Sequence, residues 1–142
     1  MKLKEIEPAG YRALAAMDQY LGTTILTQTD KDLIKIRASQ INGCAFCIDK
    51  HTRDARKAGE TEQRIYALNA WRETPFFTPK ERAILALTEE MTLISQHHVS
   101  DATYDEAASL LGDQYLSQVI MSVIIINGWN RLGITTGMQP AV

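Results

Sequence analysis

Two cysteines three residues apart, Cys44 and Cys47, are followed by His51 four residues further on. Thiol, thiol and imidazole at that spacing suit a dithiol/disulfide cycle or part of a metal clamp; the bland alternative is two buried apolar side chains, because free cysteine is among the most buried residue types. The local signals favour chemistry. Gly43 fits the left-handed stop of one helix, and Arg53, Arg56 and Lys57 stand in the last turns before Gly59, where cations favour the carbonyl end of the dipole. Cys44 therefore falls at a helix start, where unpaired N–H groups stabilise an anion. Such positions, and C-x-x-C arrangements, lower a cysteine pKa from ~8.5 to about 3.5–7.5.

On such a helix Cys44, Cys47 and His51 share one face. Cys47 lies nearer His51, which can accept its proton, so it is the expected nucleophile; Cys44, expected further out toward the helix end and its solvent, resolves. A thiolate opens the O–O bond of a hydroperoxide to give sulfenic acid and alcohol, and the second thiol condenses to a disulfide. An external dithiol donor must then reopen it. The proton on His51 calls for a carboxylate on the preceding antiparallel helix, and Asp32 is the candidate, with Asp30 competing. Asp32 equally suits a first-turn acid complementing the helix dipole.

The metal alternative needs four ligands at structural spacing, and Cys44, Cys47 and His51 supply three, with His97 or His98 as a distant fourth. Haem attachment requires histidine directly after the second cysteine, where Ile48 stands.

The elements that must position these groups all read as helices. Pro8 suits a first turn, followed by an apolar face of Tyr11, Leu14, Ala15, Met17 and Leu21. Asp30 can cap a helix running toward Gly43, and Thr61 opens one through Ile65, Leu68 and Trp71. Thr78-Pro79-Lys80-Glu81 joins a cap, a first-turn proline and a reciprocal glutamate, starting a helix through Ile94. A helix from about Asp101 to Leu111 stops at Gly112, and Asp113 can cap a last one through Trp129 to Leu132. That last helix is apolar over most of its circumference and calls for burial nearly all round, part of it against other subunits. The expectation is an all-α domain of about six or seven helices, assembling as a homo-oligomer.

With 142 residues, 45% hydrophobic and 23% charged, one domain over 1–142 is expected, with an ordinary core. A net charge of -2 without a basic stripe gives no footprint for nucleic acid. Charged residues interrupt the first twenty positions and no apolar run reaches the ~20 residues of a membrane span, so a cytoplasmic protein is expected.

The stretch "IRASQINGCAFCIDKHTRDARKAGE", residues 36–60, closely resembles the core motif of AhpD-like alkylhydroperoxidases in the carboxymuconolactone decarboxylase superfamily. The similarity extends to "ALNAWRETPFFTPKERAILALTE" and to "NGWNRLGI" near the end. The resemblance implies an all-helical fold assembling as trimers or hexamers, and peroxidase activity in antioxidant defence with no metal and no cofactor. It puts the attacking cysteine on Cys47, the resolving one on Cys44, the relay histidine on His51 and the relay acid on Asp32, an aspartate where the family has glutamate. The implied electron donor is a lipoyl-bearing or thioredoxin-like dithiol protein. Some members carry histidine between the cysteines, where Ala45 and Phe46 stand here. Decarboxylases of the superfamily look like relatives lacking the cysteine pair, so its presence argues against that branch. A redox-sensing module without turnover stands as a further alternative.

Overall fold

A computed structural model describes residues 1–141, which form helices and no strand. The chain opens with a short helix, α1 (Leu3–Ile6), and α2 (Pro8–Tyr20), whose Pro8 occupies the first turn as expected. A 3-10 turn (Leu21–Thr23) leads to α3 (Gln28–Asn42). Thr27, not Asp30, caps α3: its hydroxyl accepts from the Asp30 amide at 3.1 Å, which places Asp30 inside the first turn. Gly43 ends α3 at φ 70°, a conformation that carries no Cβ penalty in glycine, and α4 (Ala45–Lys57) starts at once.

The segment after α4 is more broken than its apolar spacing suggests. A single turn and a half, α5 (Glu62–Tyr66), passes into a 3-10 stretch (Leu68–Glu73) that contains a non-helical residue, Ala70. Helix α6 (Pro79–Thr92) carries the full capping box between Thr78 and Glu81 and ends two residues before Ile94, at which α7 (Ile94–His97) begins. The final element, α8 (Asp101–Thr136), is interrupted at Gly112, whose φ of 71° and ψ of 162° leave the helical region. The expected stop at Gly112 is therefore present as a break between two limbs. The second limb runs four residues beyond Leu132 to a left-handed cap at Gly137.

Helix α8 packs on α3 and α6, and α3 packs on α4 and α6, so the second limb of α8 forms the centre of the molecule. One apolar cluster gathers Ile34, Ala38, Ile84, Leu87, Val119, Val123 and Ile126 between these helices; another joins Leu33, Ile36, Ala55, Leu68, Trp71 and Leu85. Helix α8 is long and apolar enough to cross a membrane by length and composition. Its Gly112 break and its buried Ser122, Asn127 and Asn130 fit a core helix instead.

The second limb of α8 is not buried all round in the single chain: Ile124 remains 46% exposed, the share of burial expected to come from other subunits. Helix α2 itself contributes no buried residue; of its expected apolar face, Leu21 is buried, in the 3-10 turn that follows. Helix α2 lies over a cavity, described next, instead of sinking into the bundle.

Candidate active site

The tight α3–α4 junction places the sulfurs. The Cys44 amide donates to the Ser39 carbonyl at 3.1 Å across Gly43, and Cys44 becomes the N-cap of α4, its Sγ accepting from the Cys47 amide at 3.3 Å. Cys44 and Cys47 are joined as a disulfide with their Cα atoms 5.3 Å apart. The thiol pair thus stands at a helix start, where the dipole and free N–H groups favour a sulfur anion.

The solvent-facing position expected for Cys44 is overturned. Cys44 is 2% exposed, and Gly133 of α8 lies against it, a Cβ there standing 3.3 Å from its sulfur. Cys47 is nearly as buried, at 4% exposed, but it is the cysteine that lines a cavity of ≈ 330 Å³. Helix α4 contributes Phe46, Cys47, Lys50 and His51 to its wall, and α2 contributes Tyr11, Ala15, Asp18 and Gln19. Trp129 and Met138 complete it, and the Tyr11 and Trp129 rings meet edge to face at 5.5 Å. A larger groove of ≈ 830 Å³ lies on another side of α4, beside Arg53, Arg56 and Tyr66, and holds neither cysteine nor His51. The smaller cavity is therefore the candidate site.

His51 is buried, and burial pushes its pKa down to about 4, with Lys35 and Lys50 pushing the same way and Asp54 and Asp18 partly opposing them. In the disulfide form it is a neutral imidazole at neutral pH, with a lone pair available to a proton. The carboxylates whose charge acts on it are thus Asp54, on its own helix, and Asp18, which reaches over from α2 and pairs with Lys35 at 3.5 Å.

Asp32 lies near the start of α3 and shares Lys35 and Asp54 with His51 as charged neighbours. It is buried and accepts a hydrogen bond from Gln28 Nε2 at 2.8 Å, and burial raises its carboxyl pKa against that bond and the nearby Lys35. Among the described residues no hydrogen bond joins Asp32 to His51. Asp30, the competing acid, accepts from the Tyr115 hydroxyl and pairs with Lys80 at 3.3 Å, which ties the start of α3 to α8 and α6. His97 and His98 are exposed at the end of α7, and among the described residues no group of three His, Cys, Asp or Glu side chains converges on a metal position.

Sequence reasoning missed a polar network beneath the disulfide. Asn42 Nδ2, at the end of α3, donates to both Asn127 Oδ1 and Asn130 Oδ1 at 2.9 Å. Asn130 in turn donates to Ser39 Oγ at 2.9 Å, and Asn127 to Thr92 Oγ1 at 3.1 Å. The last turn of α3, which sets the Cys44 backbone, is thereby fixed to α8 and α6. Asn42 and Asn127 carry no signal in the sequence, since they meet across 85 positions. Asp18, Tyr11 and Met138 were missed as wall residues for the same reason.

A bundle built around a C-x-x-C disulfide, with an imidazole one turn along in the same cavity, defines an AhpD-like class of helical protein. The sequence profile of the carboxymuconolactone decarboxylase family matches residues 8–90, and the chain belongs to that family, in its AhpD-like group. It is 44% identical over 137 residues to YdfG, an uncharacterised protein of Bacillus subtilis (strain 168), covering 96% of this chain and 93% of that one. The fold is also that of ATU0492 from Agrobacterium tumefaciens, a protein of unknown function provisionally described as an antioxidant defence protein AhpD. There the TM-score is 0.97 at 32% identity, over 100% of this chain and 97% of the other. The debrominase Bmp8 shares the fold alone, at 18% identity and a TM-score of 0.83 over 92% of this chain and 70% of that one.

Proposed function

We propose that this protein is a thiol-dependent peroxidase that reduces organic hydroperoxides through the Cys44/Cys47 pair and serves antioxidant defence. The observation that carries the reading is that Cys47, tied to the helix-capping Cys44, shares one cavity with a neutral His51. In the reduced protein His51 takes the Cys47 proton, and the thiolate attacks one peroxide oxygen. The O–O bond breaks, Cys47 becomes a sulfenic acid, and the departing alkoxide takes the proton from His51 to leave as alcohol. The Cys44 thiol then attacks the sulfenic sulfur, and its proton leaves with the hydroxide as water.

The disulfide in the structure corresponds to the end of that half-cycle. An external dithiol reopens it, giving up two electrons and two protons and closing to its own disulfide. Since Cys47 lines the cavity and Cys44 does not, the donor enters at Cys47; a lipoyl-bearing or thioredoxin-like carrier has the required chemistry. Asp32 is the family's relay acid by position, and its bond to Gln28 makes a part in the relay conditional on rearrangement in the reduced form.

The test is to add an alkyl hydroperoxide to reduced protein and follow mass, free thiols and peroxide consumption with a supplied dithiol. Cys47→Ser abolishes consumption, and Cys44→Ser accumulates a sulfenic acid. Full activity in Cys47→Ser overturns the assignment, and loss of two thiols without turnover reduces the protein to a redox sensor.

A further inference from the structure

The disulfide rests against bare backbone. A Cβ on Gly133 would stand 3.3 Å from Cys44 Sγ, 3.7 Å from Cys47 Sγ and 3.8 Å from Met138 Sδ. Gly133 lies inside α8 and is not among the glycines with positive φ, so its backbone conformation does not call for glycine. Glycine in a helix interior is about 1 kcal/mol less favourable than alanine, so helix propensity does not call for it either. What the residue supplies is space on the side of the sulfurs. We propose that Gly133 is a positioning residue for disulfide closure: its missing side chain is the seat on which both sulfurs rest together, and it sets the balance between disulfide and dithiol.

The direction of the effect follows from what each sulfur can do once the bond opens. Cys47 lines the cavity and can turn into it once the bond opens, and Cys44, whose sulfur is the nearer to the Gly133 Cβ position, is then no longer tied and can shift into the space Cys47 leaves. The dithiol therefore has a way off the seat and the disulfide has none. A methyl group at position 133 presses on the tied pair more than on the opened pair, and favours reduction. In the proposed cycle the same methyl slows the attack of Cys44 on the Cys47 sulfenic acid, the step in which the S–O bond breaks, the S–S bond forms and water leaves. Only that second consequence rests on the peroxidase reading. The redox balance needs no peroxide.

The experiment equilibrates full-length Gly133→Ala with mixtures of reduced and oxidised dithiothreitol and reads the disulfide fraction by alkylation and mass. The expected shift is about tenfold toward dithiol, equivalent to about 30 mV for a two-electron couple. Gly128→Ala is the control: it lies on the same helix with a Cβ position also 3.3 Å from a neighbour, but that neighbour is Leu14 Cδ1, and its balance stays within about twofold of the parent. A Gly133→Ala balance equal to the parent, a shift toward disulfide, or an equal shift in Gly128→Ala overturns the proposal. Should Gly133→Ala fail to fold, the Gly133→Ala/Cys44→Ala double variant, which removes the nearer sulfur, must fold; its failure shows that the clash lies elsewhere and sinks the seat. Dimedone labelling after one pulse of cumene hydroperoxide gives the second readout. More trapped sulfenic acid in Gly133→Ala supports slowed closure, and unchanged trapping beside a shifted balance removes the kinetic half and with it the claim that Gly133 positions the closing step.

Discussion

Protonation of His51 links folding stability to the state of the thiol pair. Its folded pKa, pushed to about 4, lies below the ordinary value of 6.5, so the unfolded chain binds the proton more readily. The contribution of neutral His51 to stability is complete above pH ~6.5 and is lost as pH falls toward about 4, up to about 3 kcal/mol over that window. Urea unfolding of the oxidised protein between those limits will show this loss, and His51→Gln will lack that component. Reduction changes the balance, because a Cys47 thiolate in the same cavity favours imidazolium and the two groups titrate as a pair. NMR titration of the His51 ring will find a higher apparent pKa in the reduced protein than in the oxidised one; equal values would mean that Cys47 and His51 do not share a proton.

At the scale of elements, the sequence was most legible where a helix end is made by neighbours in the chain. Thr78 and Glu81 exchange their hydrogen bonds at 2.8 and 3.2 Å, and the same Glu81 accepts from Arg64 Nη2 at 2.8 Å, so this cap also holds α5. Thr78→Ala removes one side of the box and is expected to cost about 1 kcal/mol, seen as a fall of about 3 °C in Tm with the redox balance unchanged. Gly43, Gly59 and Gly112 are legible for a related reason: each is a local conformational demand that glycine meets. The break after α5 was not legible. Its 3-10 stretch is held by partners distant in sequence, with Trp71 Nε1 donating to Glu89 at 2.8 Å while Arg72 pairs with the same carboxylate. Such contacts override apolar spacing.

Across the whole molecule, the all-α class and the cysteine–histidine trio were readable because both are short-range patterns. The wall of the cavity was not, since Tyr11, Asp18, Trp129 and Met138 meet Cys47 only through tertiary packing. The same distinction applies to assembly. The apolar circumference of the last helix predicted burial that one chain does not supply, and Ile124 and Ile134 stay 46% and 50% exposed. Multi-angle light scattering is expected to give a mass that is a multiple of 15.9 kDa; a monomeric mass across dilution removes the oligomer.

Helix α2 contributes four residues to the cavity wall and no buried side chain to the bundle. Gln19 is exposed and Tyr11, Ala15 and Asp18 are half-buried, so exchange there costs less than in the core, where losses run to several kcal/mol. Evolution can therefore retailor the entrance of this protein while the core beneath stays as it is. Related chains are expected to diverge in chemistry first along their opening twenty residues, and a library aimed at new substrates belongs there.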